Sequence, residues 1–229
     1  MSAPLVRSKY RAVALVETND RGYLRHVVRS QINKTSIRRD RTPNPQAMWG
    51  HTAEKIVRWH LGTQIQLSPR RVLSYQEPAR NGVARRYREL DAVAVGTGKA
   101  ITLFEIKCSV IPSMLRSGGL QLDTAEAILG SVYQPIHRVL VVTAPPWADV
   151  AGIRLLLKRP MLRDKPLQLL ERADDPVEMG QIGLLWLSPE SLDLPRYDAP
   201  ALETAGPDGP DDGSMEEPMA VPGEDSAAT

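Results

Sequence analysis

Two short apolar runs, Leu90 to Val95 and Ile101 to Ile106, carry three charged side chains that invite a chemical reading: Asp91, Glu105 and Lys107. Burying such groups is costly unless they pair or hold a metal. Two carboxylates a few ångströms apart repel each other, and a divalent cation is the simplest remedy. Oxygen-only ligands favour Mg²⁺ or Mn²⁺ over zinc or copper. A lysine beside such a cation can orient or deprotonate a water, or offset charge building on a phosphate. That is the equipment for hydrolysing a phosphodiester.

The elements that must position these groups are two strands joined at Gly96-Thr-Gly98-Lys99, each β-branched and flanked by turn residues. Strand side chains alternate, which puts Asp91, Val93 and Val95 on one face of the first strand and Glu105 and Lys107 on one face of the second. Upstream, Pro43-Asn-Pro45 breaks the chain and Met48 to Leu61 reads as a helix with Ala53, Ile56, Val57 and Leu61 near one face and Gly62 placed to end it. Glu54 lies close to that apolar face, with Arg58 at i+4 as its simplest partner. His51 and His60 are nine residues apart, and a helix turns them away from each other, so neither is taken as a metal ligand. Arg70 to Gln76 is a strand, followed by a loop from Glu77 to Gly82.

Downstream come Pro112 and Gly118-Gly119, then a helix from Leu120 to Tyr133 with Gln121 at its start; taken alone, Gln121 is a solvent-facing residue. His137 to Ala144 is a continuous apolar strand of the kind covered on both faces, stopped by Pro145-Pro146. Trp147 to Leu157 and Met161 to Arg172 read as helices and Gln181 to Leu187 as a last strand. The order predicts an α/β fold with a mixed central β-sheet flanked by helices.

The overall charge of +2 hides an asymmetry. Residues 198–229 hold nine of the 27 acids and no Lys or Arg, which leaves 18 acids against 29 bases, or +11, on residues 1–197. An excess of that size is the footprint of a polyanion binder, or of a well-solvated arginine-rich surface. Three segments follow: a basic N-terminal arm, 1–46, containing the short strand Ala12 to Val16 and the short helix Tyr23 to Ile32; an α/β domain, 47–197; and an acidic tail, 198–229, too poor in apolar residues to offset its ordering entropy. The single cysteine, Cys108, excludes an internal disulfide framework and a multi-cysteine zinc site. With no run of about 18 apolar residues and no signal-peptide centre in Met1 to Arg11, a soluble, cytoplasmic protein is expected, with no membrane partner.

The chain resembles the PD-(D/E)xK nuclease superfamily, the fold of many restriction endonucleases and archaeal Holliday-junction resolvases. Asp91 matches the family's first acid, Glu105-Ile106-Lys107 its acid-x-Lys triplet, Glu54 a glutamate on the preceding helix, and Gln121 a glutamine on the helix after the triplet. The likeness covers about residues 48 to 144. It implies a restriction-endonuclease-like core and a Mg²⁺- (or Mn²⁺-) dependent nuclease, with DNA the expected nucleic acid. Asp91 and Glu105 would then bind the cation with help from Glu54, and Lys107 would serve the attacking water. Gln121 would orient Lys107 or a phosphate, and Arg85, Arg86 and Arg88 would hold the backbone. Leu90 departs from the proline or small residue usual before the first acid, and Glu89 could share the face of Asp91 as an extra ligand. Cutting both strands requires two sites, which makes a homodimer plausible, and the arm and tail could bind a protein partner. The rival reading is a catalytically inactive nuclease-fold subunit that binds nucleic acid or assembles with a partner. The absence of GxSxG and GxxxxGK[ST] disfavours hydrolase-triad and P-loop chemistry, and Cys108 alternates to the face opposite Lys107.

Overall fold

Residues 9–35, 45–80, 82–145, 161–162, 164–192 and 194 are described by the computed structural model. They form β1 (Arg11–Glu17), α1 (Arg21–Thr35), α2 (Pro45–Gln64), β2 (Arg70–Ala79), β3 (Gly82–Glu89), β4 (Ala92–Val95), β5 (Ile101–Cys108), α3 (Pro112–Leu129), β6 (Ile136–Thr143), β7 (Met161–Leu162), β8 (Lys165–Leu170) and β9 (Ile182–Trp186). A 3-10 turn, Pro189–Leu192, follows. None of the described helices is long and apolar enough to cross a membrane.

The larger sheet has the order β4-β5-β6-β9-β8-β7. Its central strands β5, β6, β9 and β8 run parallel, and β4 and β7 close the two edges in the antiparallel sense. This is the mixed sheet flanked by helices that the sequence predicts. Alternation along β5 and β6 sorts the core into two sides. Leu103, Leu140 and Val142 pack with Leu115, Leu122 and Ala125 of α3, whereas Phe104, Ile106, Val139 and Val141 pack with Ala53, Val57 and Leu61 of α2. A second, antiparallel sheet, β1-β2-β3, lies outside that frame. Part of the basic stretch 1–46 thus belongs to the fold: β1 pairs with β2, and Leu15 is buried.

Several boundaries differ from the expectation, each for a local reason. The predicted loop Glu77–Gly82 is a continuous hairpin in which Ala79 pairs with Gly82, itself at positive φ (116°) as a tight turn requires. The predicted strand Leu90–Val95 begins at Ala92, because Leu90 and Asp91 form a break between β3 and β4. Helix α2 continues past Gly62 to Gln64, whose side-chain carbonyl accepts the Ala173 amide (3.0 Å) and ties down the last turn. Helix α3 starts earlier than predicted, with Pro112 in its first turn, where a missing N–H costs nothing. Gly118 and Gly119 are therefore inside it. A Cβ on Gly118 would stand 2.7 Å from Leu140 Cδ1 and 3.1 Å from Lys107 Cε, so glycine is what allows α3 to lie this close to β5 and β6. The helix predicted over Met161–Arg172 is instead β7 and β8. Pro166 removes a helix-interior donor, and Leu167 and Leu169 find strand partners in Ile182 and Leu184 of β9. The predicted helix Trp147–Leu157 and the acidic tail lie outside the described residues.

Candidate active site

The break before β4 is where the site is built. Leu90 and Asp91 leave the β-ladder, so their backbone carbonyls need other donors. Arg71 Nη1 donates to the Leu90 carbonyl at 3.1 Å, and Arg58 Nε, reaching across from α2, donates to the Asp91 carbonyl at 2.5 Å. With the backbone fixed this way, the Asp91 carboxylate turns toward β5 and its Oδ2 accepts the Ile106 amide at 2.7 Å. A side chain thereby takes the place of the next strand residue.

On β5, Glu105 is buried, with 6% of its surface exposed, on the side that faces α3. Lys107, two residues on and therefore on the same face, donates to Glu105 Oε1 at 2.6 Å and to Gln121 Oε1 of α3 at 2.7 Å. Gln121 is in the middle of α3 rather than at its start, and the close approach at Gly118 brings it within reach. Burial pushes the Glu105 carboxyl up to about 7, the charge of Asp91 adds to the rise, and the Lys107 ammonium offsets only part of it. Burial likewise raises Asp91; the Ile106 amide opposes the rise, and Glu54 adds to it. Two buried acids whose ionisation is opposed first by desolvation and then by a neighbouring carboxylate, Glu54 for Asp91 and Asp91 for Glu105, are what a hard cation would relieve.

The remaining predicted residues divide. Glu54 is held by Arg58, whose Nη2 lies 2.5 Å from Glu54 Oε1, as their i,i+4 spacing predicts. Its charge is nonetheless felt at Asp91. Among the described residues no group of three or more His, Cys, Asp or Glu side chains is gathered to hold a metal ion, so Glu54 does not complete a three-carboxylate set with Asp91 and Glu105. Arg86 and Arg88 pair across the hairpin with Tyr75 and Leu73, and Leu73 belongs to the core on the α3 side; Arg88 is near enough to Glu105 to favour its ionised form. Arg86 is engaged by Glu77 at 2.8 Å. Arg85 points to the opposite face, toward α1. Glu89 is taken by Arg71 (2.5 Å) and by the Tyr23 hydroxyl (2.5 Å), which together hold it below the usual carboxylate range against the effect of burial. Cys108 packs against the α2-side core, and burial, then the charges of Glu54 and Asp91, push its thiol up to about 12; it is no nucleophile.

Arg58 and Arg71, which fix the Asp91 break, are the functional residues that pattern reading misses. For Arg58 the i,i+4 spacing to Glu54 was a partial signal. Nothing in sequence marks Arg71, since its role depends on a carbonyl 19 residues away.

No family model matches the chain, and no curated protein or solved structure does either. Function therefore rests on the site itself.

The donor set suits one kind of cation. Mg²⁺ keeps several waters and is commonly held by only one or two carboxylates together with substrate phosphates, not by an all-protein cage. Asp91 and Glu105 would supply those two carboxylates, both oxygen donors and both raised chiefly by burial.

Proposed function

We propose that this chain is a divalent-metal-dependent nuclease that hydrolyses phosphodiester bonds in nucleic acid, acting as a DNA endonuclease. The observation that carries the reading is that Lys107 joins Glu105 of a central strand to Gln121 of a helix, while Asp91, from the strand break, bonds the next residue of that strand and its charge acts on Glu105.

Asp91 and Glu105 would hold Mg²⁺ or Mn²⁺, with Glu54 contributing through a water. The bound cation would neutralise the two acids, lower the pKa of a water and stabilise charge on the phosphoryl oxygens. Lys107 brings an ammonium group onto the carboxylate face, held beside Glu105. Of its three N–H donors, two are directed to Glu105 and Gln121, and the third is free to hold an attacking water or a phosphate oxygen. Gln121 and Glu105 together fix the ammonium, so that it would act from a set position, which is the condition for electrostatic stabilisation of a transition state. Arg88, close enough to influence Glu105, is placed to contact the backbone beside the scissile bond.

The test is incubation of the purified chain with plasmid, linear, single-stranded and branched DNA in Mg²⁺ and Mn²⁺, beside Lys107→Ala and Glu105→Ala variants. Cleavage that needs the cation and falls by about a hundredfold or more in both variants is expected. Full cation-dependent cleavage by both variants would refute the assignment.

A second reading, an inactive subunit with the same fold that binds nucleic acid, is favoured by the Lys107–Glu105 contact and by the engagement of Glu54 with Arg58, since these pairs satisfy the charges without a cation. It predicts no cleavage and no cation binding that depends on Asp91.

A further inference from the structure

Beyond the carboxylate site, the geometry points to a second nucleic-acid contact, a phosphate-binding groove between α1 and β3 lined by Gly22, Arg25, His26, Arg29, Arg85 and Tyr87. The groove has a volume of about 320 Å³. This rests on the nucleic-acid reading above but not on cleavage.

Alternation along β3 is the starting point. Arg86 and Arg88 turn to the side of Glu105, so Arg85 and Tyr87 must turn the other way, onto α1. There α1 presents Arg25 and Arg29 at i,i+4, a like-charge spacing that destabilises a helix. Arg85 adds a third cation from a different element. All three arginines are exposed, and among the described residues neither Arg29 nor Arg85 has a carboxylate partner; Arg25 donates only to the Arg21 carbonyl, at 3.2 Å. The acids nearby are committed elsewhere. Asp20 accepts the Tyr23 amide, and Glu89 accepts Tyr23 and Arg71. Cations brought together and left without counter-charge call for an anion.

The groove floor is shaped as well as charged. A Cβ on Gly22 would run into the Tyr87 hydroxyl, so glycine at this position is what lets the Tyr87 ring lie against α1. His26 stacks at a tilt on that ring, with centroids 5.4 Å apart, and Tyr23 meets it at 6.0 Å. Guanidinium forks around an aromatic floor suit a phosphodiester backbone with a base beside it: the forks take phosphate oxygens and the ring faces take the base. A free inorganic phosphate would use only the first of these features.

The experiment measures binding of labelled 20-nucleotide single strands and duplexes by fluorescence anisotropy, in chelator so that no cleavage intervenes. It compares the full chain with Arg29→Ala/Arg85→Ala and with a control losing two exposed cations elsewhere, Lys99→Ala/Arg172→Ala. Thermal melts check that each variant folds. The double groove variant is expected to bind about tenfold more weakly at moderate salt, and to lose about 1.4–1.8 from the slope of log affinity against log salt, at 0.7–0.9 per lost contact. The control should lose little. Equal losses in both variants, or an unchanged slope in the groove variant, would overturn the proposal. So would inorganic phosphate that binds the groove while oligonucleotide affinity ignores Arg29 and Arg85. Because binding is read without cleavage, failure here leaves the carboxylate site untouched, and an inactive but binding protein would leave the groove standing.

Discussion

At the scale of single residues, the chemistry depends on how burial and repulsion act on Glu105. Its folded-state value of about 7 lies above the ordinary 4.5, so between those two values the folded chain binds more protons than the unfolded chain. Stability without cation must then fall as pH rises from about 4.5 through 7. Over pH 5.5 to 8 the contribution amounts to about 2 kcal/mol, taking 1.36 kcal/mol per pKa unit as the scale. Denaturant titrations of the chelated protein across that range should show the decline, and Glu105→Gln should flatten it; a wild-type stability that does not fall across that range, or falls no more than the variant's, would contradict the account. The three key residues were legible in sequence because charged groups stand out in apolar strands. Their hydrogen bonds were not: Asp91 takes the Ile106 amide, and Lys107 meets Gln121 only where α3 crosses β5.

The elements owe their positions to small residues and to a few long cations. Gly118 sets how closely α3 approaches β5, and the cost of altering it separates packing from helix propensity. In Gly118→Ala the new methyl meets Leu140, which is fully buried and cannot retreat, and overpacking of this kind costs about 1–3 kcal/mol. Because the same methyl presses on the Lys107 stem, cleavage should fall with stability. Gly62, exposed in the last turn of α2 with only an ordinary 3.8 Å contact to Leu67, should behave in the opposite way: Gly62→Ala is expected to stabilise by up to about 1 kcal/mol. Thermal melts of the pair check both signs, and equal effects would show that Gly118 has no special packing role. These two glycines also explain where sequence reading placed boundaries wrongly. Each was read as punctuation, yet one is a spacer between packed elements and the other sits in a helix end held by Gln64. Likewise Lys165–Leu170 reads as helix by its leucines and folds as a strand because β9 offers it a parallel partner. A neighbour distant in sequence decides such cases.

For the whole molecule, the mixed sheet and its two-sided core follow from apolar runs that any reader of the chain can find, whereas the β1-β2-β3 sheet does not. Strands near β1 and β2 are expected from the sequence, but β3, which carries Arg85, Arg86 and Arg88, is too polar to read as one, and without it the sheet does not assemble. Under the proposed function, that polarity would serve the site: a basic sheet near buried carboxylates would draw a polyanion toward a site that those carboxylates would otherwise repel. The proposed function requires that Asp91 and Glu105 share a cation. Calorimetric titration of Mn²⁺ into the chelator-freed chain at pH 8, with Asp91→Asn beside it, measures this directly. The account predicts saturable binding by the wild type that weakens at least tenfold in the variant; indistinguishable binding by the two, or none by either, would contradict it.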